Sequence, residues 1–472
     1  MKKILWIILA FAVIIRVFLF VCIEKSLWLD EAALALNVLD KSYLELFQPL
    51  QYAQSAPPLF LCLTKILVSI FGTGEKTFRL ISLISSIGTV FVFYYLLKAI
   101  FYIEASENKK NTVLLFIFLA MHVFYTSFPL LYNTVEFKPY ISDVLFTILI
   151  ALIWFNNLQG YVTLKSQILF AIIMILFPLF SFGSIFSVCT ILVLSILRKR
   201  KLFSLILILG LMIEYLLIFS KISTGTRVYE YWTPYFINYN PIKAIFILID
   251  VMKYYFYPSS LILLGLIGFV AGSILLFKKK RNIFNFFFLT IVITITASFF
   301  NFYPFYERLS LFLYPIFLII ILTPLYYAIY EKKIGKKTIV YILSSIFILS
   351  STLYNFTESN FYKREEIKPL LLKIRSDAKP SDKIFVFKGA HLTWKYYGIN
   401  FDFKNDTFIC SFSMSSADCA DKIKTFCNEE KCFVIYASEV DTVQNVKILK
   451  RVVTELGGEA LLEAKNSILY KI

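Results

Sequence analysis

The chain has 472 residues, 59% hydrophobic and 18% aromatic, with a net charge of +17 and a mean hydropathy of +0.73. A soluble globular chain is about 45–50% apolar, so a single soluble domain is excluded. A nucleic-acid binder gathers its charge on one basic face. Here 18 of the 48 Lys/Arg and 16 of the 31 Asp/Glu fall from residue 358 onward, and the remaining basic residues sit in short clusters between apolar runs.

Runs of roughly 17–25 apolar residues are long enough to cross a hydrocarbon core about 30 Å thick. We read eleven, over 4–23, 78–103, 112–132, 139–156, 167–182, 184–197, 202–220, 258–277, 283–300, 309–330 and 338–356. The first follows Lys2-Lys3. It is longer than the usual 7–15-residue core of a signal peptide and no small-x-small cleavage site follows it, so it is expected to be retained. Arg16 lies near the outer end of this span, snorkelling or paired. With Lys2-Lys3 inside, the inner segments are the N-terminus and the loops near 104–111, 157–166, 198–201, 278–282 and 331–337. They carry 17 Lys/Arg against three acids, Glu104, Glu107 and Glu331. An odd number of spans then places the C-terminal tail outside.

Two stretches are exceptions. Pro57 to Phe71 is apolar but only 15 residues long, which suits an interfacial or re-entrant helix. Residues 167–197 read as two short helices hinged at Ser181-Phe182-Gly183-Ser184, because one long helix would break the charge pattern.

From about residue 358 the pattern changes. Ile367, Leu370, Leu371 and Ile374 recur at helical spacing, and Lys379-Pro380-Ser381-Asp382 is a turn. Short apolar strands follow at Ile384–Phe387, Phe408–Phe412, Cys432–Tyr436, Leu461–Leu462 and Ile468–Tyr470, separated by helical stretches. The expected architecture is therefore a polytopic α-helical membrane protein of about eleven transmembrane helices (1–357) with a small C-terminal α/β domain (358–472). The first outer loop, 24–77, is expected to be catalytic. Four of the seven cysteines, Cys410, Cys419, Cys427 and Cys432, lie in the tail. In an oxidising compartment one or two disulfides fit them, and buried free thiols fit equally well. No His is near Cys427 and Cys432, which argues against zinc.

The unusual polar residues all fall on the outer face. Asp30-Glu31, in Trp28-Leu29-Asp30-Glu31-Ala32, places two adjacent carboxylates at a membrane boundary, costly unless water, a cation or a substrate compensates them. Arg79 follows, then Glu136, Lys138 and Tyr140 in Glu136-Phe137-Lys138-Pro139-Tyr140. The loop 221–243 carries Arg227, Tyr229, Glu230, Tyr231 and Trp232, and Tyr306-Glu307-Arg308 precedes the tenth span.

Three of these stretches carry a resemblance: Leu27-Trp28-Leu29-Asp30-Glu31-Ala32, Ala56-Pro57-Pro58-Leu59-Phe60, and the run from Phe71-Gly72 through Glu75-Lys76 to Phe78-Arg79-Leu80-Ile81-Ser82. They resemble the polytopic GT-C glycosyltransferases, in the branch of the protein O-mannosyltransferases and lipid A aminoarabinose transferase. Glu136-Phe137-Lys138-Pro139-Tyr140 resembles that branch's acidic-basic-Pro-Tyr stretch. Glu365–Asp382 resembles the helix and turn that open its soluble tail. The resemblance implies transfer of a sugar from a polyprenyl-phosphate-linked donor to a cell-envelope acceptor outside the membrane, with inversion. A carboxylate must take the acceptor proton and cations must balance the leaving phosphate. Asp30 matches the family's base position, with Glu31 beside it to orient it or bind acceptor. Arg308, Lys138 and Arg79 are the candidates for the phosphate, and Glu136, Tyr140 and Glu307 for substrate. A divalent metal at Asp30-Glu31 stays open, with no ligand set legible. The tail is expected to cover the site and select the acceptor.

Plainer readings stand beside these. Asp30-Glu31 suits the start of a helix near Ala32. Arg79 suits a span entrance, Glu136-Lys138 a structural pair, Glu307-Arg308 an interfacial anchor, and Arg227 with Trp232 an interfacial belt. His122 reads as packed on a neighbour, and Asp143 and Glu214 as buried polar pairs. The rival function is a transporter or flippase of lipid-linked saccharides. Against it, no repeat relates the two halves and no broken helices fall at matching positions.

Overall fold

A computed structural model of the chain describes residues 2–156, 163–220, 231–237, 240–255, 262–331, 363–410, 414–427, 431–438 and 443–472. The chain divides into two compact units. The first comprises Met1–Cys22 and Ser42–Thr357, the second Ile23–Lys41 and Glu358–Ile472.

The first unit is helical. Its described helices are α1 (Lys2–Cys22), α3 (Pro58–Phe71), α4 (Glu75–Leu97), α5 (Lys110–Tyr125), α6 (Phe128–Thr134), α7 (Tyr140–Asn156), α8 (Leu164–Phe180), α9 (Ser184–Leu197), α10 (Lys201–Glu214), α11 (Pro241–Tyr255), α12 (Ile262–Lys279), α13 (Arg281–Phe299) and α14 (Tyr314–Tyr330). Wider π-type turns extend α4 to Tyr102 and α10 to Phe219. Among the described residues six helices are long and apolar enough to cross a membrane. The α5–α6 pair, bent by 55°, makes a seventh if it counts as one span.

Helices thus occupy ten of the eleven expected positions, and the eleventh, 338–356, lies outside the described residues. Among the described residues fewer of these helices, six or seven, are long and apolar enough to cross. Helix α9 has 14 residues and rises only about 21 Å at 1.5 Å per residue, and α7 and α8 are 17 residues each. The break between α8 and α9 falls where the sequence placed a hinge. Asp143 of α7 holds it, accepting from the Ser181 hydroxyl at 2.7 Å and the Gly183 amide at 3.2 Å. Gly183 is required there, because a Cβ would lie 2.7 Å from the Phe312 ring. Helix α11 has no counterpart among the expected elements.

Polar groups inside this unit are mostly paired. Arg16 does not snorkel: it is fully buried and donates to Ser86 Oγ at 2.8 Å and to the Ala12 carbonyl at 3.1 Å. His122 meets the Tyr125 hydroxyl at 2.8 Å. The carboxylate of Glu214, also buried, has no hydrogen-bond partner among the described residues.

The second unit contains α2 (Leu29–Asp40), α15 (Lys368–Asp377), α16 (His391–Phe401), α17 (Ser416–Phe426) and α18 (Val443–Glu455). Its strands are β1 (Lys383–Val386), β2 (Thr407–Ile409), β3 (Cys432–Ala437), β4 (Glu459–Ala464) and β5 (Ser467–Lys471). The sheet runs β2-β1-β3-β5-β4, with β1 parallel to β2 and β3, and β5 antiparallel to β3 and β4. Central β3, Cys-Phe-Val-Ile-Tyr-Ala, is buried throughout, as a strand covered on both faces must be. Disulfides Cys410–Cys419 and Cys427–Cys432 close onto the same core as Phe385, Val434 and Leu449. The five strands overlap the expected ones, with residues 411–412 of the second outside the described residues, and helices separate them except between β4 and β5, which a turn joins instead.

Candidate active site

Helix α4 lines up Arg79, Ser82, Ser85, Ser86 and Thr89 as buried polar residues. Their spacing puts Arg79, Ser82 and Ser86 on one face. That face meets the stretch 134–142. Ser82 Oγ donates to the Glu136 carbonyl at 2.6 Å and lies 3.3 Å from that of Lys138. Ser85 pairs with Ser142 at 2.9 Å and Ser86 with Thr134 at 2.7 Å. The helical pattern stops here because Pro139 disfavours helical backbone at Lys138. The carbonyls released by the break need donors, and the serines supply them. Phe137 packs between Phe60 and Phe78, with ring centres at 5.9 and 5.1 Å.

This places the turn of α4 that carries Arg79 against the backbone that carries Glu136 and Lys138. All three charged residues are buried, at 4%, 2% and 6% exposure. Lys138 Nζ donates to Gln54 Oε1 at 2.9 Å. Gln54 follows Tyr52 and Ala53, both left-handed with φ of 60° and 52°. That conformation costs a non-glycine residue about 1–2 kcal/mol, and two in succession mark a turn fixed by its surroundings. Gln54 was not among the expected site residues. Its only sequence signal is its position in the first outer loop.

Arg308 joins the same region, its guanidinium 5.8 Å from the centre of the Tyr140 ring. Its segment is braced on both sides. Ser310 Oγ is within 3.0 Å of the Tyr306 carbonyl and 3.1 Å of that of Glu307. The Tyr303 hydroxyl donates to the Leu309 carbonyl at 3.0 Å, and that of Tyr255, at the end of α11, to the Ser310 carbonyl. The Tyr306 ring packs on Tyr235 at 4.4 Å and Trp232 at 5.5 Å. Burial, then the neighbouring Glu307 carboxylate, pushes the Tyr306 hydroxyl up to about 12, against the opposing pull of Arg308. Tyr231 and Trp232 therefore belong to an aromatic cluster; Arg227, Tyr229 and Glu230 lie outside the described residues.

Asp30 and Glu31 belong to the second unit. They occupy the first turn of α2, with Asp30 half-buried and Glu31 fully buried. Helix α2 packs on α16, and Lys395 of α16 reaches Asp40 at 3.8 Å. The residue before the helix, Trp28, supplies no side-chain cap. Tail residues meet the first helical amide and those of the residues that lead into the helix. Glu365 Oε2 accepts from the Leu29 amide at 2.9 Å. The Tyr397 hydroxyl accepts from Leu27 at 2.8 Å. Glu366 accepts from the Ser26 amide at 3.2 Å and its hydroxyl at 3.3 Å. The Arg364 guanidinium covers the Trp28 ring at 4.3 Å. None of these four partners was expected at the site, since nothing local in sequence links positions more than 330 apart.

Among the described residues no group of three or more His, Cys, Asp or Glu side chains is arranged to hold a metal ion.

No family model matches the chain, and no curated protein matches it. Solved structures do. The crystal structure of ArnT from Cupriavidus metallidurans bound to undecaprenyl phosphate superposes with a TM-score of 0.56 at 8% identity, covering 100% of this chain and 98% of that one. The apo form of the same ArnT gives a TM-score of 0.45 at 9% identity over the same shares. At such identity the likeness is one of fold, and the chain has the fold of ArnT, a lipid A aminoarabinose transferase of the GT-C type that the sequence resembles.

Proposed function

We propose that the chain is an integral membrane glycosyltransferase of the bacterial inner membrane, with the N-terminus cytoplasmic and the tail extracytoplasmic. It moves a hexosyl- or pentosyl-type sugar from a polyprenyl-phosphate-linked donor to a cell-envelope acceptor on the outer face. The observation that carries this reading is the likeness of fold, over the whole chain, to a protein crystallised with undecaprenyl phosphate. The buried cations Arg79 and Lys138, with Arg308 on the Tyr140 ring, support it. Such groups in an apolar helical unit hold an anionic headgroup far better than they would in water.

In this reading the acceptor hydroxyl gives its proton to Asp30, and its oxygen attacks the anomeric carbon from the face opposite the phosphate. The new C–O bond forms as the bond to the phosphate oxygen breaks. Inversion follows, and polyprenyl phosphate leaves with its charge balanced by Arg308, Lys138 and Arg79. Glu31 orients the base or binds acceptor, and Glu136, Tyr140 and Glu307 hold substrate.

The test is turnover of a polyprenyl-phosphate sugar by the purified protein in lipid nanodiscs, read as release of polyprenyl phosphate. Asp30→Asn keeps the shape but cannot act as a base, and a loss of at least about 10²-fold is expected. Movement of the lipid-linked sugar between leaflets of proteoliposomes without release of polyprenyl phosphate would instead identify a transporter.

A further inference from the structure

The helix that carries Asp30 starts without a cap of its own. A helix start leaves its first amides unpaired, and Ser, Thr, Asp or Asn ordinarily stands before it to accept one. Trp28 stands there instead. For the first helical amide, that of Leu29, the acceptor comes from the other end of the chain, Glu365; the amides of Ser26 and Leu27, which lead into the helix, are met from there too, by Glu366 and Tyr397. Ser26 Oγ in turn accepts from the Lys368 amide at 3.1 Å.

Glu365 and Glu366 are themselves anchored. The Glu366 amide donates to the Lys465 carbonyl at 3.0 Å, and the Ser467 hydroxyl to the Glu366 carbonyl at 2.7 Å. Asn466 donates to the Arg364 carbonyl at 2.9 Å. Lys465 and Asn466 form the β4–β5 turn, with Asn466 left-handed at φ 48°, and Ser467 opens β5. A continuous set of hydrogen bonds therefore runs from the sheet, through 364–366, to the first turn of α2. Glu365 and Glu366 are buried, at 1% and 6% exposure. Putting a third carboxylate beside Asp30 and Glu31 adds like charge, which a neutral cap would avoid. The arrangement fixes Leu29, and with it the backbone from which Asp30 projects.

We infer that Glu365 and Glu366 are positioning residues for Asp30, so that the tail sets the geometry of the reacting carboxylate. This rests on the glycosyltransferase reading with Asp30 as base. The tail then does more than choose the acceptor. A shift of about 1 Å in a reacting group can cost about 10²-fold.

The experiment compares Glu365→Ala, Glu365→Gln and Asp30→Asn in the full-length protein in nanodiscs, with kcat, donor KM and amide exchange over residues 26–32. The Gln side chain still accepts a hydrogen bond. Glu365→Ala is expected to lower kcat at least about tenfold, to leave donor KM within about twofold, and to speed exchange at the start of α2. Glu365→Gln is expected to restore most of kcat. If Asp30→Asn is inactive while Glu365→Ala turns over normally despite faster exchange, the positioning role is overturned alone. The same holds if Glu365→Gln is as damaging as Glu365→Ala. If Asp30→Asn is fully active, the assignment of Asp30 as base fails and this inference with it. Should Glu365→Ala not fold, Glu366→Ala with the same readouts decides: lower kcat at unchanged donor KM supports the role, and unchanged kcat overturns it.

Discussion

The Glu365 carboxylate and the Leu29 amide meet at 2.9 Å although 336 positions separate them. The segment 23–41 thus belongs with the tail, while the cations proposed for the donor phosphate lie in the helical unit. Removing the tail tests this division. A chain ending after Asn360 keeps Arg79, Lys138 and Arg308 but loses Glu365, Glu366 and Tyr397. It is expected to bind a polyprenyl-phosphate donor with affinity within about tenfold of the full chain, and to lose transfer by at least about 10²-fold. Donor binding to the purified truncation in nanodiscs is the measurement. A well-inserted truncation that cannot bind donor would mean that the tail forms part of the donor site.

Arg308→Ala is expected to raise donor KM by about 10–100-fold, the equivalent of a charge-assisted contact worth about 1.5–3 kcal/mol. Acceptor KM should stay within about twofold. Lys138→Ala should act in the same direction, and it also removes the 2.9 Å contact to Gln54 Oε1. Steady-state kinetics with donor and acceptor varied separately distinguish the effects. Equal damage to both constants, or loss of folded yield alone, would return Glu307-Arg308 to an interfacial anchor.

The sequence exposes what depends on local pattern. Apolar runs are long enough to announce α1, α4 and the helices from α12 to α14, and the run Ile384–Phe387 announces β1 by itself. The hinge at Ser181–Ser184 is visible because charge placement demands two helices. Helix α11 escapes because Lys243, Asp250 and Lys253 interrupt its apolar residues, so no continuous run flags it. The site is legible only in part. Asp30, Arg79, Lys138 and Arg308 stand out as charges beside apolar spans. Their partners do not: Ser82 and Gln54 are ordinary residue types, and Glu365 reaches Leu29 only after the whole chain has folded. The cysteine spacing likewise leaves three pairings open, and only the approach of β2 and β3 to α17 selects one.

Packing of α12 on α14 offers a prediction about stability. A Cβ on Gly272 would lie 1.8 Å from the Ile320 carbonyl oxygen, a backbone atom that cannot swing away. Gly272→Ala must therefore push the two helices apart, and overpacking of this kind costs about 1–3 kcal/mol or more. Gly88→Ala is the contrast. Its Cβ would meet only the flexible end of Leu145 at 3.3 Å, and Ala gains about 1 kcal/mol in helix propensity. In detergent melts Gly272→Ala should lower the Tm clearly and Gly88→Ala hardly at all. Equal Tm values for both would show that α12 and α14 do not pack closely at Gly272.

The tail's disulfides connect stability to orientation. Cys410–Cys419 spans nine positions and Cys427–Cys432 five, and both lie in the core that holds β3. Closing a loop of about nine residues restricts the unfolded chain by about 2–3 kcal/mol, so reduction should lower the melting temperature of the tail. Disulfides persist only in an oxidising compartment. The basic clusters are the separate ground on which we propose that the tail lies on the outer side. Intact cells should therefore show the four cysteines protected from thiol reagents until a reductant is added, and a reporter fused after Ile472 should be active only if it functions outside the cytoplasm. A reporter active only in the cytoplasm, with all four thiols free, would reverse the topology and remove the shared outer face on which Asp30 and Arg308 are proposed to act.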